Sequence, residues 1–503
     1  MKRSIKDLVE TKPWAGWVLF IFTVIIVFLL GLLASRIMER RAEAQFVYMP
    51  KVEYVSLEPR SNVWGQNFPK EYNTYLKTSD TSFRSMFNMS DDGDLLESNP
   101  HLVILFAGYS FSKDYNHPRG HFYAVLDVVK TLRTGAPNDS TPSPQPNTCW
   151  TCKSSDVPRL MDKLGVQGFY KGSFEKLGHE CVNYIGCVDC HDAKTMNLKI
   201  TRPALIEAFE RLGKDISKAS HQEMRTLVCA QCHVEYFFDN RNGKENYLTF
   251  PWDSGFTVEA IERYYDAVGH SDWIHAISKA PMIKAQHTDY EMFMCGIHYR
   301  AGLACADCHM PYKSEGGVKF TDHHITSPLR YISRTCQICH RESEEELRNR
   351  VYERQKTINE LRKILEKELV NAHFEAKHAW DIGAKEDEMK PILQLIRQAQ
   401  WRWDFVSCGH GNAFHAPLES ARILGHGISK AQEARRKLQK IFAKYNNFEV
   451  KIPDISTKEK AQKVIGLDMD KLIKDKQQFM KNMVPKWLEK AKDREAKYYM
   501  KSI

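Results

Sequence analysis

The chain has 503 residues, of which 43% are hydrophobic and 27% charged. That is length for about three domains and enough apolar content to exclude global disorder, while a single long apolar run excludes a polytopic membrane protein. Lys and Arg (72) exceed Asp and Glu (63) by only +9, a weak excess for this length, and no nucleic-acid partner is expected.

The N-terminal segment, residues 1–44, reads as a leader. Lys2, Arg3, Lys6 and Lys12 precede an uncharged run from Trp14 to Ala34, which as a helix spans a bilayer. It is either a retained anchor or a secretory signal cut after Ala42-Glu43-Ala44. The charges at Arg36, Glu39, Arg40, Arg41 and Glu43 speak for the anchor, and the A-x-A site speaks for the signal. Both readings take the body of the chain out of the cytoplasm.

Residues 45–342 form a second region. Its first part is loop-rich; His117-Pro118-Arg119-Gly120-His121 reads as a turn, followed by a helix over FYAVLDVVKTL (122–132). Residues 135–148 carry four prolines and read as an extended approach. Short helices with little strand pattern are expected over 149–342. At Ser343 the pattern changes, and 343–503 reads as a helical region. Ser343 to Glu346 is a capping box, and Leu347, Val351, Ile358, Leu361, Leu365 and Leu369 make a helical stripe. The stripe faces either the core or, in part, a second subunit. A further helix is expected over about 430–445, and a basic helix ends the chain.

The cysteines carry the chemistry. Ten of thirteen fall into Cys-x-x-Cys pairs. They are Cys149/Cys152 followed by Lys153, Cys187/Cys190 by His191, Cys229/Cys232 by His233, Cys305/Cys308 by His309, and Cys336/Cys339 by His340. Two thiols one helical turn apart add across the two vinyl groups of a haem, and the next residue turns its imidazole to the iron. Structural zinc also uses Cys-x-x-Cys but does not require the following His. CWTCK on its own also fits a redox dithiol. Lys153 stands where His is expected, and its amine, with a free pKa of about 10.4, binds a metal only when neutral. The first haem is therefore distinct, and open if no distal ligand is supplied. Four doubly ligated haems need four more His, and the chain has 20 in all. Cys181, Cys295 and Cys408 lie outside the motifs and are free buried thiols or a disulfide pair plus one.

One CxxCK followed by four CxxCH resembles the pentahaem cytochrome c nitrite reductases, the ammonia-forming family. HPRGH, TLRTGAP, CAQCHVEYFF, PMIKAQH, QWRWD and FHAP match as well. The resemblance implies a mainly α multihaem cytochrome c fold with little β structure, five haem c groups in its core and long C-terminal helices. It implies nitrite as substrate, reduced by six electrons to ammonium at the Lys153-ligated haem. Arg133, Tyr236 and His287 match the distal pocket. Glu235, the main-chain oxygens of Tyr236 and Lys284, and the Gln286 side chain match the ligands of one calcium ion. His121, His298, His323 and His415 match the distal ligands of the third, fifth, second and fourth haems; His324 is the alternative to His323. A periplasmic location, a homodimer and a membrane-bound tetrahaem quinol dehydrogenase as donor are also implied. The chemistry agrees with the pocket: Arg133 attracts a small anion, His287 supplies protons, and Tyr236 donates a hydrogen bond. Hard oxygen donors suit calcium. The competing function is a pure electron-transfer cytochrome, in which every haem is doubly ligated and no pocket exists.

Overall fold

The computed structural model describes residues 11–46, 52–138 and 140–499, so Lys2, Arg3 and Lys6 of the leader lie outside the described residues. The chain divides into two units. The smaller contains helix α1 (Pro13–Phe46). Its stretch Pro13–Arg40 reaches a mean hydropathy of 3.0 with no buried side chain, and is long and apolar enough to cross a membrane.

The larger unit spans residues 54–313 and 320–503. Short helices dominate its first half, among them α2 (Ala124–Lys130), α3 (His221–Ala230) and α4 (Asp289–Cys295). Its second half is built from α5 (Glu344–Asp381), α6 (Glu386–Ser407), α7 (Pro417–Lys444), α8 (Met469–Asn482) and α9 (Val484–Tyr499). Strands are confined to short ribbons. β1 (Phe237–Asp239) pairs antiparallel with β2 (Tyr247–Thr249), and β3 (Trp273–Ile274) with β4 (Pro281–Met282). The class is mainly α, as the sequence pattern indicates.

Local chemistry explains the boundaries. The Ser343 hydroxyl accepts from Glu346 N at 3.2 Å and starts α5. Glu344, Glu345 and Glu346 add negative charge to its positive end. Leu347, Val351, Ile358, Leu365 and Leu369 are buried, and Leu361 is half-buried. The expected helix over 430–445 begins much earlier, at Pro417. α2 is shorter than its apolar pattern suggests. Thr131 leaves the helical region, and its hydroxyl caps a 3₁₀ turn, Leu132–Thr134. That exchange creates the turn bearing Arg133.

α5, α6 and α7 pack together. At Gly427 a Cβ would lie 2.5 Å from Leu365 Cδ2 and 3.3 Å from Arg402 Cβ, so a larger residue would force Leu365 to move. The periodic pattern of α6 is hard to read because polar residues share its buried face: Arg397, Gln400, Arg402 and Asp404 are all buried beside Trp401 and Trp403. Each has a partner. Trp403 Nε1 donates to Glu366 of α5 at 3.1 Å, Trp401 Nε1 to Val258 O at 3.0 Å, and Arg402 pairs with Glu262 at 2.9 Å.

Two core imidazoles, His275 and His373, stack with ring centres 3.7 Å apart. His275 Nε2 donates to Ile104 O (2.8 Å), and its Nδ1 accepts Ser278 N–H (3.2 Å). His373 Nε2 donates to Gln400 Oε1 (2.8 Å), and its Nδ1 accepts the Ser278 hydroxyl (2.9 Å). Both rings are satisfied while neutral. Burial lowers His373 to about 4, and burial together with the neighbouring ring lowers His275 well below its ordinary value. Their contribution to stability is complete above the unfolded value of 6.5 and is lost as pH falls towards 4, because only the unfolded chain takes up the protons. Tm should therefore fall between pH 6.5 and 4.5, and fall less steeply in His373→Gln; parallel curves for the two proteins would refute this.

Candidate active site

The first motif sits on a 3₁₀ turn, Asn147–Trp150. Trp150 stacks on Phe174 at 4.2 Å and donates to its carbonyl at 2.9 Å, which fixes the turn. The buried Arg202 then ties this turn to the second motif. Its Nε donates to Thr151 O (2.7 Å), and one amino group reaches both Ser154 O (3.2 Å) and Asp189 Oδ1 (2.6 Å). Asp189 Oδ2 accepts from Gly186 N and the Ser155 hydroxyl, at 2.7 and 2.6 Å. Gln231 of the third motif donates to Asp189 O (2.8 Å) and accepts from Arg202 N (3.1 Å). Arg225 on α3 pairs with Asp307 of the fourth motif. Sequence reasoning passed over these residues. The available signal was the second variable position, which is polar in CVDC, CAQC and CADC.

These ties bring the motifs together. The Cys152 and Cys232 side chains lie close enough to act on one another, and so do those of Cys229 and Cys305. Cys190 lies within electrostatic reach of Cys232, and Cys308 of Cys336.

Four imidazole pairs form across the motifs. Ring centres lie 6.3 Å apart for His121 and His233, 6.1 Å for His191 and His323, 6.3 Å for His309 and His415, and 6.4 Å for His298 and His340. Two metal–imidazole bonds of about 2.0–2.1 Å plus two ring radii of about 1.1 Å give about 6.3 Å. The residues present therefore fit iron held between each pair. Several rings are oriented through Nδ1, which turns Nε2 towards the partner. His191 is held by Met196 O (2.9 Å), His309 by Thr326 O (3.0 Å) and His323 by Thr321 O (2.8 Å). His324 instead engages the Tyr331 hydroxyl at 2.9 Å and is buried. His323, not His324, is thus brought to His191. At Gly120 the backbone adopts φ +91°, a glycine conformation, and delivers His121 into the following turn.

The motif cysteines also fit a bound group. Nine of the ten are half-buried and accessible to one, whereas Cys181 and Cys408, outside the motifs, are buried; Cys295 is half-buried. The tenth, Cys339, is exposed, and so are its neighbours Ile338 and His340.

Arg133, Tyr236 and His287 gather near Cys149, Cys152 and Lys153. Arg133 lies close enough to act on the Cys149 thiol, which burial pushes up to about 12. Its Nε donates to the Thr131 hydroxyl at 3.1 Å, and its guanidinium lies 4.3 Å from the Phe111 ring centre. Tyr236 is raised well above its ordinary pKa by burial and by Cys152 and Cys149, so it keeps its proton. His287 is lowered well below its ordinary value by burial and by the charge of Lys153. Ligand atoms of His287, His233 and Asp289 lie within 4.8 Å of one another. Asp289 meets Nδ1 of His233 at 3.5 Å, so it serves the ring from behind.

The oxygen cluster adjoins this pocket. Glu235 is buried; its carboxylate accepts from Tyr265 OH (2.7 Å) and Gln286 N (2.6 Å). Gln286 Nε2 donates to Lys284 O at 3.3 Å. The Lys284 ammonium turns away to Asp404 at 2.8 Å; burial opposes its charge, but Asp404 raises it above the ordinary range. Glu235 is raised well above the carboxylate range by burial, with Glu291 and Asp272 adding repulsion. Glu291 is raised to about 8 by burial, and its Oε2 has no hydrogen-bond partner. Buried acids that repel one another, beside the Lys284 carbonyl and the Gln286 amide, fit a hard dication. Glu291 was not singled out by sequence.

Residues 60–497 match the family model for cytochrome c552. The chain belongs to the cytochrome c552 family. Cytochrome c-552 of Porphyromonas gingivalis W83 is 57% identical over 486 residues, covering 96% of this chain and 97% of that protein. Cytochrome c-552 of Bacteroides thetaiotaomicron is 58% identical over 485 residues (96% and 98%), and that of Maridesulfovibrio salexigens 46% over 450 residues (88% of each). Among solved structures, cytochrome c nitrite reductase of Desulfovibrio desulfuricans ATCC 27774, a catalytic subunit described with two calcium sites, aligns with a TM-score of 0.74. It shares 30% identity and covers 84% of this chain and 91% of its own. The fold is that of the multihaem cytochrome c nitrite reductases.

The two adjacent histidines can be separated directly. His323→Ala should convert one haem from a low-spin to a high-spin ferric spectrum, and His324→Ala should not. The reverse outcome would exchange the two roles.

Proposed function

We propose that this cytochrome c552 reduces nitrite to ammonium, taking six electrons and eight protons per nitrite and releasing two waters. The observation that carries the reading is the asymmetry of the five motifs: four present paired imidazoles, while the first presents Lys153 and gathers Arg133, Tyr236 and His287. When bound, haem supplies a substrate-coordinating iron at the first motif and electron carriers at the other four.

The chain's own residues do the rest. Cys149 and Cys152 would attach the first group, and Lys153 would hold its iron through the neutral amine. The other eight cysteines attach four haems between His191 and His323, His233 and His121, His309 and His415, and His340 and His298. The neighbouring thiols Cys152/Cys232, Cys229/Cys305 and Cys308/Cys336 support a continuous electron route through the first, third, fourth and fifth motifs, with the second branching at Cys190/Cys232. Arg133 binds and orients the anion with a permanent charge. His287, neutral in its buried setting, accepts protons at its ring nitrogen and passes them to substrate oxygen and nitrogen. Tyr236 donates its O–H to bound substrate. Glu235, Gln286 and the carbonyls of Tyr236 and Lys284 hold calcium, which fixes the loops bearing Tyr236 and His287.

The apolar α1 supports a periplasmic placement, in which it either holds the enzyme to the inner membrane or directs its export. A membrane-bound tetrahaem quinol dehydrogenase is the proposed donor, and two copies of the chain form the proposed working unit.

With reduced viologen as donor, about six electrons should be consumed per nitrite, with ammonium recovered in full; a five-haem protein without nitrite-dependent oxidation would instead be an electron carrier. His287→Ala should lower kcat by about 10²-fold or more with all five haems retained, and an unchanged rate would remove its proton role. Lys153→His should keep the haem but change turnover. Chelation of calcium, verified by metal analysis, should depress activity; unaltered turnover would deny the ion a part in catalysis.

A further inference from the structure

The turn that carries Arg133 is gripped from both sides. On its N-terminal side the buried Asp114 accepts from the Thr131 hydroxyl (2.9 Å) and Leu132 N (2.8 Å). The same Thr131 oxygen accepts from Arg133 Nε at 3.1 Å. On its C-terminal side the partner comes from the far end of the chain. Lys476 of α8 is only 5% exposed, and its Nζ donates to Gly135 O at 2.7 Å and to the Thr134 hydroxyl at 3.1 Å. Thr134 Oγ1 donates onward to Thr131 O at 3.0 Å, and Thr134 O accepts from the Ser143 hydroxyl at 2.7 Å. Gly135 lies at φ +69°, where Pro144 crowds the chain. The 3₁₀ turn therefore has its first residues fixed by a carboxylate and its last by a buried amine.

We propose that Lys476 is a positioning residue for anion binding: it locks the Leu132–Thr134 turn so that the Arg133 guanidinium is held ready for the substrate. This rests on the reading of Arg133 as the nitrite-binding residue.

A buried lysine is a costly way to satisfy one carbonyl, because the amine must leave water. Leucine at this position would fill the same space against Phe479 and Trp487, which pack on each other 5.4 Å apart. What lysine adds is a long donor that reaches out of α8 into another part of the chain. Burial lowers its pKa to about 7, opposed by Asp114. Charged or neutral, the amine keeps the N–H donors that its bonds to Gly135 O and the Thr134 hydroxyl use, and these bonds are its contribution to the turn. Arg133 also rests on Phe111, whose ring centre lies 5.0 Å from the Lys284 ammonium as well. The guanidinium thus has fixed contacts along its length, and Lys476 fixes the backbone that bears it.

The test uses the full haem-loaded protein. Nitrite affinity is read by optical titration of the ferric enzyme, alongside KM and kcat and the deuterium exchange of amides 131–136. Lys476→Met should raise Kd and KM for nitrite about tenfold with kcat and haem content little changed, and should speed exchange across the turn. Lys476→Arg, which keeps a long donor, should recover most of the affinity. Equal nitrite Kd in wild type and Lys476→Met, or in Lys476→Gln should the Met variant not accumulate, would overturn the proposal. Loss of folded protein with no change in nitrite Kd of what remains would likewise make Lys476 a packing residue only. Arg133→Ala separates the two readings: if it leaves nitrite Kd unchanged, the assignment of Arg133 fails. If it weakens binding while Lys476→Met does not, only the role of Lys476 fails.

Discussion

A single buried guanidinium, that of Arg202, organises the heart of the molecule. It is fully buried, paired with Asp189 at 2.6 Å, and shared with main-chain carbonyls of the first motif. Breaking such a pair by removing one partner costs about 3–5 kcal/mol, because the other charge is stranded. Here the pair does more than balance charge. It makes the turn of one motif part of the support of the next, and Gln231 and the Arg225–Asp307 pair extend the pattern to the third and fourth motifs. The spacing of the motifs is thus set by side chains lying between their cysteines.

The cytochrome c552 scaffold uses the same economy around the pocket. Asp404 of α6 holds both the Lys284 ammonium and Ala285 N, so a core helix dictates the loop that ends in His287. Glu235 reaches the same loop through Gln286 N. Phe111 lies between the cations of Lys284 and Arg133. Three candidate pocket residues from distant parts of the chain are thereby referred to one another through buried contacts, without a rigid sheet behind them.

Much of this was legible in the sequence, for definite reasons. Haem attachment forces a fixed spacing of thiols and imidazole, so CWTCK and the four CxxCH motifs announce themselves whatever surrounds them. The α5 stripe was legible because one face of a long helix is buried. Other features had no local mark. The partners of His191 and His309 lie more than a hundred residues away, and two adjacent histidines could serve the first of these. Only the turn of the chain, with Thr321 O behind His323 and Tyr331 behind His324, separates them. α6 hid because its buried face carries charges whose partners lie elsewhere. Asp189, Gln231 and Asp307 look like filler between cysteines until the fold brings their partners alongside.

The Cys152 and Cys232 side chains are neighbours, as are those of Cys229 and Cys305. Each of these cysteines therefore answers to two partners, one three residues away in its own motif and one from another motif. A disturbance at one motif is thus passed directly to the next, without any helix or sheet between them.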